Sequence, residues 1–294
     1  MGTGKTVTCS SITLGDTWKT NYKLGATSKT TTANITAKAL TPSISSCTNK
    51  TYNGTTGVTC SLSVATVISG DTVTASGTCN AADKNVGTGK KVTCSSIALA
   101  GTSASNYKLN STSAEKTSAV NITAKALTWS TKPTVSNKTY DGTTTATISN
   151  HGAISGVVSG DTATLVTSGA KATFNNANAG TNKAITFTGY TLTGTDAGNY
   201  SLAQPTGVTA NITGNAITVK AKNQSRAYNG SALSADGTCE VTSGTLPSGY
   251  TLECTSTGSQ TNAGSSTKTL STVKVMNGGT DVSSNFTITK ANGT

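Results

Sequence analysis

The protein has 294 residues, with 22 Lys plus Arg against 11 Asp plus Glu, one His and three Glu. So few histidines and glutamates exclude a multi-histidine metal site and a Ser/His/Asp relay, and they disfavour general acid–base catalysis. We therefore expect a chain that is not an enzyme, binds no metal and needs no cofactor.

The net charge of +11 comes almost entirely from scattered Lys, and Arg226 is the only Arg. Specific nucleic-acid recognition relies mainly on Arg and on stacked aromatic side chains, so we expect no specific nucleic-acid partner. No stretch approaches the roughly 20 apolar residues of a transmembrane helix. The N-terminus also lacks the apolar core of a signal peptide, so we expect export to be specified elsewhere or the chain to be a fragment.

Composition and local patterns favour strands. Thr supplies about a fifth of the residues, and its branched side chain suits a half-solvated pleated surface. Residues 91–97 and 183–188 alternate polar and apolar side chains, as strands with one buried face do. No segment combines a helical period with caps. We predict an all-β protein of small modules, either immunoglobulin-like sandwiches or β-grasp-like sheets.

Internal repeats divide the chain. The sequence Asn-Ile-Thr-Ala-Lys-Ala-Leu-Thr at 34–41 recurs unchanged at 121–128 and, altered, at 211–218, which are spacings of 87 and 90 residues. Such ordered recurrence indicates tandem units of about 88 residues. The phase predicts four modules, of which the first lacks its N-terminal part and the last is truncated at its C-terminus: 1–37, 38–124, 125–214 and 215–294. Because the shared segment leaves no Gly/Ser linker, we expect an elongated, stiff or semi-stiff monomeric rod.

A second marker, spaced by 88 residues, contains a Tyr followed by Asn-Gly or Asp-Gly. These dipeptides tolerate the positive φ of tight hairpins, and the fixed phase of the Tyr predicts a core aromatic with a hydrogen-bonded hydroxyl. Asp141, like Asp71 and Asp161 in Gly-Asp pairs, could suggest calcium, but no acidic cluster accompanies it. A structural turn is therefore predicted at Tyr52, Asn53, Gly54, Tyr140, Asp141, Gly142, Tyr228, Asn229 and Gly230.

The seven cysteines have no Cys-x-x-Cys spacing and no histidine partners, which disfavours zinc and thioredoxin-like chemistry. Their phase within the repeats predicts disulfides Cys60–Cys79, Cys239–Cys254 and Cys47–Cys94. Cys9 matches Cys94 by phase and is left unpaired. The alternative of Cys47 with Cys60 and Cys79 with Cys94 stays open. Disulfides indicate an oxidising, extracytoplasmic compartment.

Two weaker signals favour ordinary structure. His151 occurs in one copy only, which indicates a loop histidine. The segment Gly2-Thr3-Gly4-Lys5-Thr6 resembles a phosphate-binding loop, but it lacks the full spacing and the strand-then-helix context. An intramolecular Lys–Asn cross-link would need a buried carboxylate in each module, and Glu is too scarce to supply it.

Several ordered motifs carry a family resemblance: Tyr140-Asp141-Gly142, Gly160-Asp161, Asn178-Ala179-Gly180 and the Asn199-Tyr200 pair. They resemble the YDG-type repeat of large bacterial surface and adhesin-like proteins. The last module, with Asn262-Ala263-Gly264 and Asn285-Phe286, resembles the related MBG-type modules. The resemblance implies an exported, β-rich stalk or adhesive region and transfers no catalytic residue. Asn53 and the cysteines depart from the family pattern.

We therefore expect a non-enzymatic structural or adhesive repeat region of a bacterial cell-surface or secreted protein. The alternative is an array of modules that binds host or envelope glycans, or surface proteins, through Lys-rich edges and loops. Binding of the fragment on a glycan array would favour the alternative.

Overall fold

A computed structural model describes all residues, 1–294, as two compact units. Unit 1 comprises Met1–Lys125, Val158–Asp161 and Gly198–Ser201, and unit 2 comprises Ala126–Val157, Thr162–Ala197 and Leu202–Thr294. The chain has no α-helix and only three 3₁₀ turns, at Ala104–Asn106, Ala197–Asn199 and Ser283–Asn285. None of these could cross a membrane. The predicted all-β class is confirmed.

Unit 1 is built around one five-stranded sheet. Residues 1–124 of this unit form eleven strands: β1 (Gly2–Cys9), β2 (Lys29–Ile35), β3 (Lys38–Leu40), β4 (Pro42–Cys47), β5 (Lys50–Thr51), β6 (Gly57–Val58), β7 (Cys60–Val64), β8 (Thr74–Ala81), β9 (Gly87–Ala100), β10 (Tyr107–Leu109) and β11 (Ala114–Thr123). The five-stranded sheet has the order β5-β11-β9-β8-β6. Its edge pair β5–β11 is parallel and the other pairs are antiparallel. Three two-stranded sheets accompany it: β1–β2, β4–β7 and the parallel pair β3–β10.

The strands that follow are β12 (Lys125–Thr131), β13 (Thr134–Val135), β14 (Lys138–Thr139), β15 (Thr145–Ala146), β16 (Ile148–Asn150), β17 (Ala153–Ser155), β18 (Thr164–Val166), β19 (Lys171–Phe174), β20 (Gly180–Thr188), β21 (Thr191–Thr193), β22 (Tyr200–Leu202), β23 (Thr209–Thr213), β24 (Asn215–Ala221), β25 (Leu233–Ser234), β26 (Cys239–Ser243), β27 (Tyr250–Thr257), β28 (Ser259–Gln260), β29 (Thr269–Asn277), β30 (Thr280–Asp281) and β31 (Phe286–Ala291). Unit 2 repeats the five-stranded order as β14-β23-β20-β19-β15. Its last part contains the sheets β26-β24-β31 and β27-β29-β30.

Alternation along the strands explains where the small cores lie. In β9, Val92 and Cys94 are completely buried while Thr93 between them is only partly so. In β20, Ile185 and Phe187 are buried and the intervening Thr186 is exposed. The predicted strands at 91–97 and 183–188 are therefore confirmed. Because successive side chains point to opposite faces, a Thr-rich strand can present one apolar face to the core and one polar face to water.

Candidate functional site

Three disulfides fasten neighbouring strands, and their pairing differs in part from the prediction. The bonds join Cys47 to Cys60, Cys79 to Cys94 and Cys239 to Cys254. The predicted pairs Cys60–Cys79 and Cys47–Cys94 are wrong, and the alternative that the sequence left open is the one found. The reason is strand order: Cys47 lies opposite Cys60 in the β4–β7 ladder, and Cys79 lies opposite Cys94 in β8–β9.

The remaining cysteine and the sulfur cluster offer no metal site. Cys9 is free and exposed. The sulfur atoms of Cys60, Cys79 and Cys94 lie within 4.8 Å of one another. All three are held in disulfides, so none supplies the thiolate that metal binding requires.

Each Tyr-Asn-Gly or Tyr-Asp-Gly segment, here called a tyrosine loop (52–54, 140–142 and 228–230), is a turn of one design. The side-chain oxygen of Asn53 accepts from the N–H of Thr55 at 3.2 Å, and Asp141 accepts from Thr143 at 2.8 Å. The glycines have positive φ, +79° at Gly54 and +78° at Gly142. An Asx turn followed by a left-handed glycine explains the residue types.

The tyrosine loops are turns that do not close tight hairpins. Strands β5 and β6 flank the first loop, but β5 pairs with β11 and β6 with β8, so the loop connects the two edges of the five-stranded sheet.

A cation two residues before the Tyr bridges the loop. The Lys50 ammonium donates to the carbonyl oxygens of Thr55, at 2.6 Å, and Gly57, at 2.9 Å. Lys50, Lys138 and Arg226 share one repeat position, and this recurrence is the signal by which the role could have been found.

Within unit 1, Tyr52 reaches a carboxylate from the next repeat. Its hydroxyl donates to Asp161 Oδ2 at 2.6 Å, and the Tyr200 hydroxyl donates to the same oxygen at 2.6 Å. The Lys84 ammonium lies 2.8 Å from Asp161 Oδ1. The Asp161 side chain is 3% exposed. A buried carboxylate needs this set of charged and hydrogen-bonding partners. We call this group, Tyr52, Lys84, Asp161, Asn199 and Tyr200, the acidic junction.

The electrostatics of the acidic junction keep Asp161 ionised and its tyrosines neutral. Hydrogen bonds from Lys84, Tyr200 and Tyr52 lower the pKa of Asp161 to about 2. Burial, together with the hydrogen bond to Asp161, raises the pKa of the Tyr200 hydroxyl to about 12. The same carboxylate holds the pKa of Lys84 above its ordinary value. In all three groups the hydrogen bonds favour the same arrangement, a carboxylate and an ammonium that are charged and a tyrosine that is neutral, and at Tyr200 burial adds to their effect.

An asparagine and a close glycine complete the acidic junction. Asn199 Oδ1 accepts from the backbone N–H of Val86 at 2.9 Å, and its Nδ2 donates to Asn85 at 3.1 Å. At Gly54, an added Cβ would lie 2.8 Å from Val158 Cγ1. Glycine is therefore required at this position both for its positive φ and for the approach of Val158.

Unit 2 contains a second group at the same repeat phase, which we call the aromatic junction: Tyr140, Ala179, Tyr250, Asn285 and Phe286. The Tyr140 and Tyr250 hydroxyl oxygens are 2.9 Å apart. The Phe286 ring packs edge-on against Tyr140, with centroids 5.3 Å apart. Asn285 Oδ1 accepts from the Ala179 N–H at 2.7 Å, as Asn199 does from Val86. Burial and the Tyr250 hydroxyl raise the pKa of Tyr140 to about 12.

The structure places the three predicted core tyrosines differently. Tyr52 is 1% exposed and Tyr140 is 4% exposed, both with hydrogen-bonded hydroxyls as predicted. Tyr228 is 70% exposed, so its prediction as a core aromatic is wrong. Its loop keeps the same turn, in which Asn229 Oδ1 accepts from the Ser231 N–H at 3.1 Å. Tyr228 therefore differs from Tyr52 and Tyr140 in the packing of its ring and not in the conformation of its loop.

The carboxylates considered for calcium are engaged by protein groups. Asp71 accepts from the Tyr107 hydroxyl, which repeats the Asp161–Tyr200 contact. Asp141 is bound within its own loop and by Lys138 at 2.8 Å. His151 Nδ1 lies 3.1 Å from the Tyr190 hydroxyl in a connecting loop. The Lys–Asn cross-link considered from the sequence has one candidate pair to examine. Lys183 donates to Asn176 Oδ1 at 2.6 Å, and no ion pair with a carboxylate involves Lys183.

Comparison with known domain families matches the YDG domain twice, over residues 36–114 and 123–207. Together these two ranges cover more than half of the chain. The chain belongs to the YDG domain family. Each YDG match contains one tyrosine loop, one Gly-Asp pair and one Asn-Tyr pair. The acidic junction combines the tyrosine loop of the first match with the Gly-Asp and Asn-Tyr pairs of the second. A comparison with curated proteins and another with solved structures found no match.

Proposed function

We propose that this YDG protein is a non-enzymatic structural and adhesive repeat region, a stalk, of a bacterial cell-surface or secreted protein. The observation that supports this most is the recurrence of junction residues at one repeat phase: Tyr52 and Tyr140 on one side, Asn199-Tyr200 and Asn285-Phe286 on the other. These residues contact residues of a neighbouring repeat and are buried. Their role is therefore to position modules, not to transform a substrate.

The same contacts support an elongated, semi-stiff arrangement. Hydrogen bonds from a buried asparagine to the neighbouring backbone, at 2.9 Å for Asn199 and 2.7 Å for Asn285, restrict rotation in a way that a Gly/Ser linker does not. The rod is part of the proposal, as is the MBG-type identity of residues 215–294.

The disulfides support an extracytoplasmic location, since reducing compartments rarely preserve them. Bridging of six of the seven cysteines leaves only Cys9 free. Alkylation of protein taken from its native compartment without reductant should label one thiol. Labelling of seven thiols would contradict this location.

Surface display can be tested on the intact organism. We expect brief protease treatment of whole cells, or mass spectrometry of the culture medium, to yield peptides from residues 38–214. Peptides that appear only after lysis, with a cytoplasmic marker as control, would contradict the proposal.

A second candidate function is binding of host or envelope glycans by the module array. It is supported by Trp18 and Tyr22, which are 59% and 62% exposed with ring centroids 6.0 Å apart. Exposed indole and phenol rings combine an apolar face with a polar edge. Glycan-array binding that is lost in Trp18→Ala and retained in Tyr228→Ala would favour this candidate.

A further inference from the structure

The third tyrosine loop is built like the first two but has no ring partner. Gly230 has φ of +82°, and Arg226 Nη2 donates to the Ser231 carbonyl at 2.6 Å, as Lys50 does to Thr55. Tyr228 is nevertheless 70% exposed, whereas Tyr52 is 1% exposed. The loop is therefore preformed, although its ring is uncovered.

A cavity of about 410 Å³ lies beside Tyr228. Its lining includes Arg226, Leu233 and the segment Asn262-Ala263-Gly264. That segment repeats the Asn178-Ala179-Gly180 motif of the preceding module. In the aromatic junction the Ala179 N–H donates to Asn285 at 2.7 Å, and in the acidic junction the Val86 N–H donates to Asn199 at 2.9 Å. The cavity thus lies where an asparagine and an aromatic ring are bound elsewhere in the chain.

The acidic and aromatic junctions differ at three equivalent repeat positions, and the three differences are chemically linked. The acidic junction contains Asp161 and Tyr200, with Lys84 paired to the carboxylate. In the aromatic junction Tyr250 and Phe286 stand at those two positions, and Ala177 stands at the position of Lys84. A buried carboxylate without its cation would be costly, so loss of the Lys and loss of the Asp belong together. Phe replaces Tyr where no carboxylate remains to accept its hydroxyl.

Thr261 holds the position of Lys84 in the last module. It carries no charge, so the position that supplies the carboxylate's cation in the acidic junction is neutral beside Tyr228. We propose that this face, consisting of Tyr228, Asn229, Gly230 and residues 260–264, binds a further module of the aromatic type, with Tyr in the Gly-Tyr pair and with an Asn-Phe pair whose Asn ends the 3₁₀ turn. The proposal rests on the stalk function and adds a rule for which module follows which.

A further module can be appended after Thr294 in the register of the existing repeats. The Thr294 N–H donates to Asn223 at 3.1 Å, as Asn121 does to Asn49 at 2.7 Å and Asn211 to Asn137 at 2.8 Å. Thr294 therefore occupies the position of Asn211, and a copy of residues 212–294 can follow it directly. We call the chain with this appended copy the aromatic extension. In the copy, the equivalent of Tyr228 is changed to Phe, so that only the original Tyr228 can be nitrated at this position.

Nitration of Tyr228 by tetranitromethane, followed by peptide mass spectrometry, measures whether its ring is covered. We expect the aromatic extension to slow nitration at least about ten-fold relative to the unextended chain, because reaction then requires local opening. Replacing the copy's equivalents of Asn285 and Phe286 by Ala should restore fast nitration. Unchanged nitration in an extension whose own disulfide has formed would overturn the proposal.

A second extension tests the charge rule. A copy of residues 122–211 supplies the acidic type, with Asp161 and Tyr200. It should protect Tyr228 weakly with Thr261 in place and strongly after Thr261→Lys. Equal protection by both extensions without the substitution would overturn the rule. If the aromatic extension stays reduced, protection by the acidic extension with Thr261→Lys is required for the docking proposal to stand.

Other occupants give different results. Protection of Tyr228 in the unextended chain that increases with concentration would identify a second copy of the chain as the partner and would overturn in-series docking. Neither result depends on where the protein is displayed, so failure here is distinguishable from failure of the stalk proposal.

Discussion

The hydroxyl of Tyr52 donates a 2.6 Å hydrogen bond to the carboxylate of Asp161, which lies 109 residues further along the chain. Tyr200 donates to the same oxygen, and its ring packs edge-on against that of Tyr52, with centroids 5.4 Å apart. A tyrosine from one repeat and an aspartate from the next are therefore interdependent.

Removing the Tyr52 hydroxyl should destabilise the protein. Tyr52→Phe keeps the ring but leaves Asp161 with one hydrogen bond fewer, and a bond to a charged group contributes about 1.5–3 kcal/mol. Urea unfolding followed by circular dichroism measures the loss. The matched control is Tyr228→Phe, which should change the free energy of unfolding by less than about 0.5 kcal/mol because that ring is exposed. Equal effects of the two substitutions would contradict the assignment.

The aromatic junction should respond more weakly to the same change. Tyr140→Phe removes a hydroxyl that contacts the neutral Tyr250 hydroxyl at 2.9 Å. A neutral hydrogen bond contributes about 0.5–1.5 kcal/mol, so the loss should be smaller than for Tyr52→Phe. The same unfolding experiment compares them, and a larger loss at Tyr140 would be inconsistent with a carboxylate-centred first junction.

Gly54→Ala should destabilise more than Gly230→Ala. Both positions have positive φ, so both substitutions incur about 1–2 kcal/mol of backbone strain. Only at Gly54 would the new methyl meet another residue, Val158 Cγ1 at 2.8 Å, which adds about 1–3 kcal/mol. Nothing lies within 4 Å at Gly230. The double variant Gly54→Ala/Val158→Ala should recover part of the difference, and no recovery would show that the contact is unimportant.

The stability should depend on pH through the acidic junction. The pKa of Asp161 is lowered to about 2, so its contribution is fully present above its ordinary pKa of about 4 and is lost as the pH falls to about 2. The pKa of Tyr200 is raised to about 12, so its contribution is present below about 10 and is lost as the pH rises to about 12.

Thermal unfolding between pH 2 and pH 5 measures the acid limb. Asp161→Asn should flatten it, whereas Asp16→Asn should leave it unchanged, since the Asp16 side chain is 92% exposed. An acid limb that is identical in Asp161→Asn and in the original protein would refute the role of this carboxylate.

Each disulfide should stabilise its module through the strands that it joins. Replacing Cys79 and Cys94 by Ser opens a bond that spans 15 residues, which should cost about 3 kcal/mol. Cys9→Ser should have no effect because Cys9 is free. Non-reducing peptide mapping checks the pairing independently. Recovery of a Cys60–Cys79 peptide would contradict the structure.

Much of this fold is accessible from sequence because the repeats expose it. Recurrence at about 88 residues gives the tandem organisation, and alternation at 91–97 and 183–188 gives strands. The repeat phase predicted the Cys239–Cys254 disulfide correctly. It failed for the other two disulfides because they depend on which strands become neighbours: Cys60 is nearer in sequence to Cys47 than to Cys79, yet phase alone favoured Cys79. Asn-Gly is a local signal that predicts a turn at the tyrosine loops, whereas the pairing of the strands on either side of the turn is set by long-range contacts.

The sequence contains a signal of the junctions that becomes visible only when the repeats are compared with one another. Asp71, Asp161 and Tyr250 share one repeat position, while Tyr107, Tyr200 and Phe286 share another, and the two positions change together. The coupling becomes interpretable only once Tyr200 is seen to donate to Asp161. Exposure of Tyr228 was beyond sequence analysis, since its loop has the same turn-forming residues as the buried copies.

Small-angle X-ray scattering of the intact chain tests the proposal that the modules are arranged end to end as a rod. A compact globule of this length would have a radius of gyration of about 19 Å. We expect a value roughly 1.5 to 2 times that of the globule, with a rod-like intermediate scattering region. A radius near that of the globule, without such a region, would contradict the account.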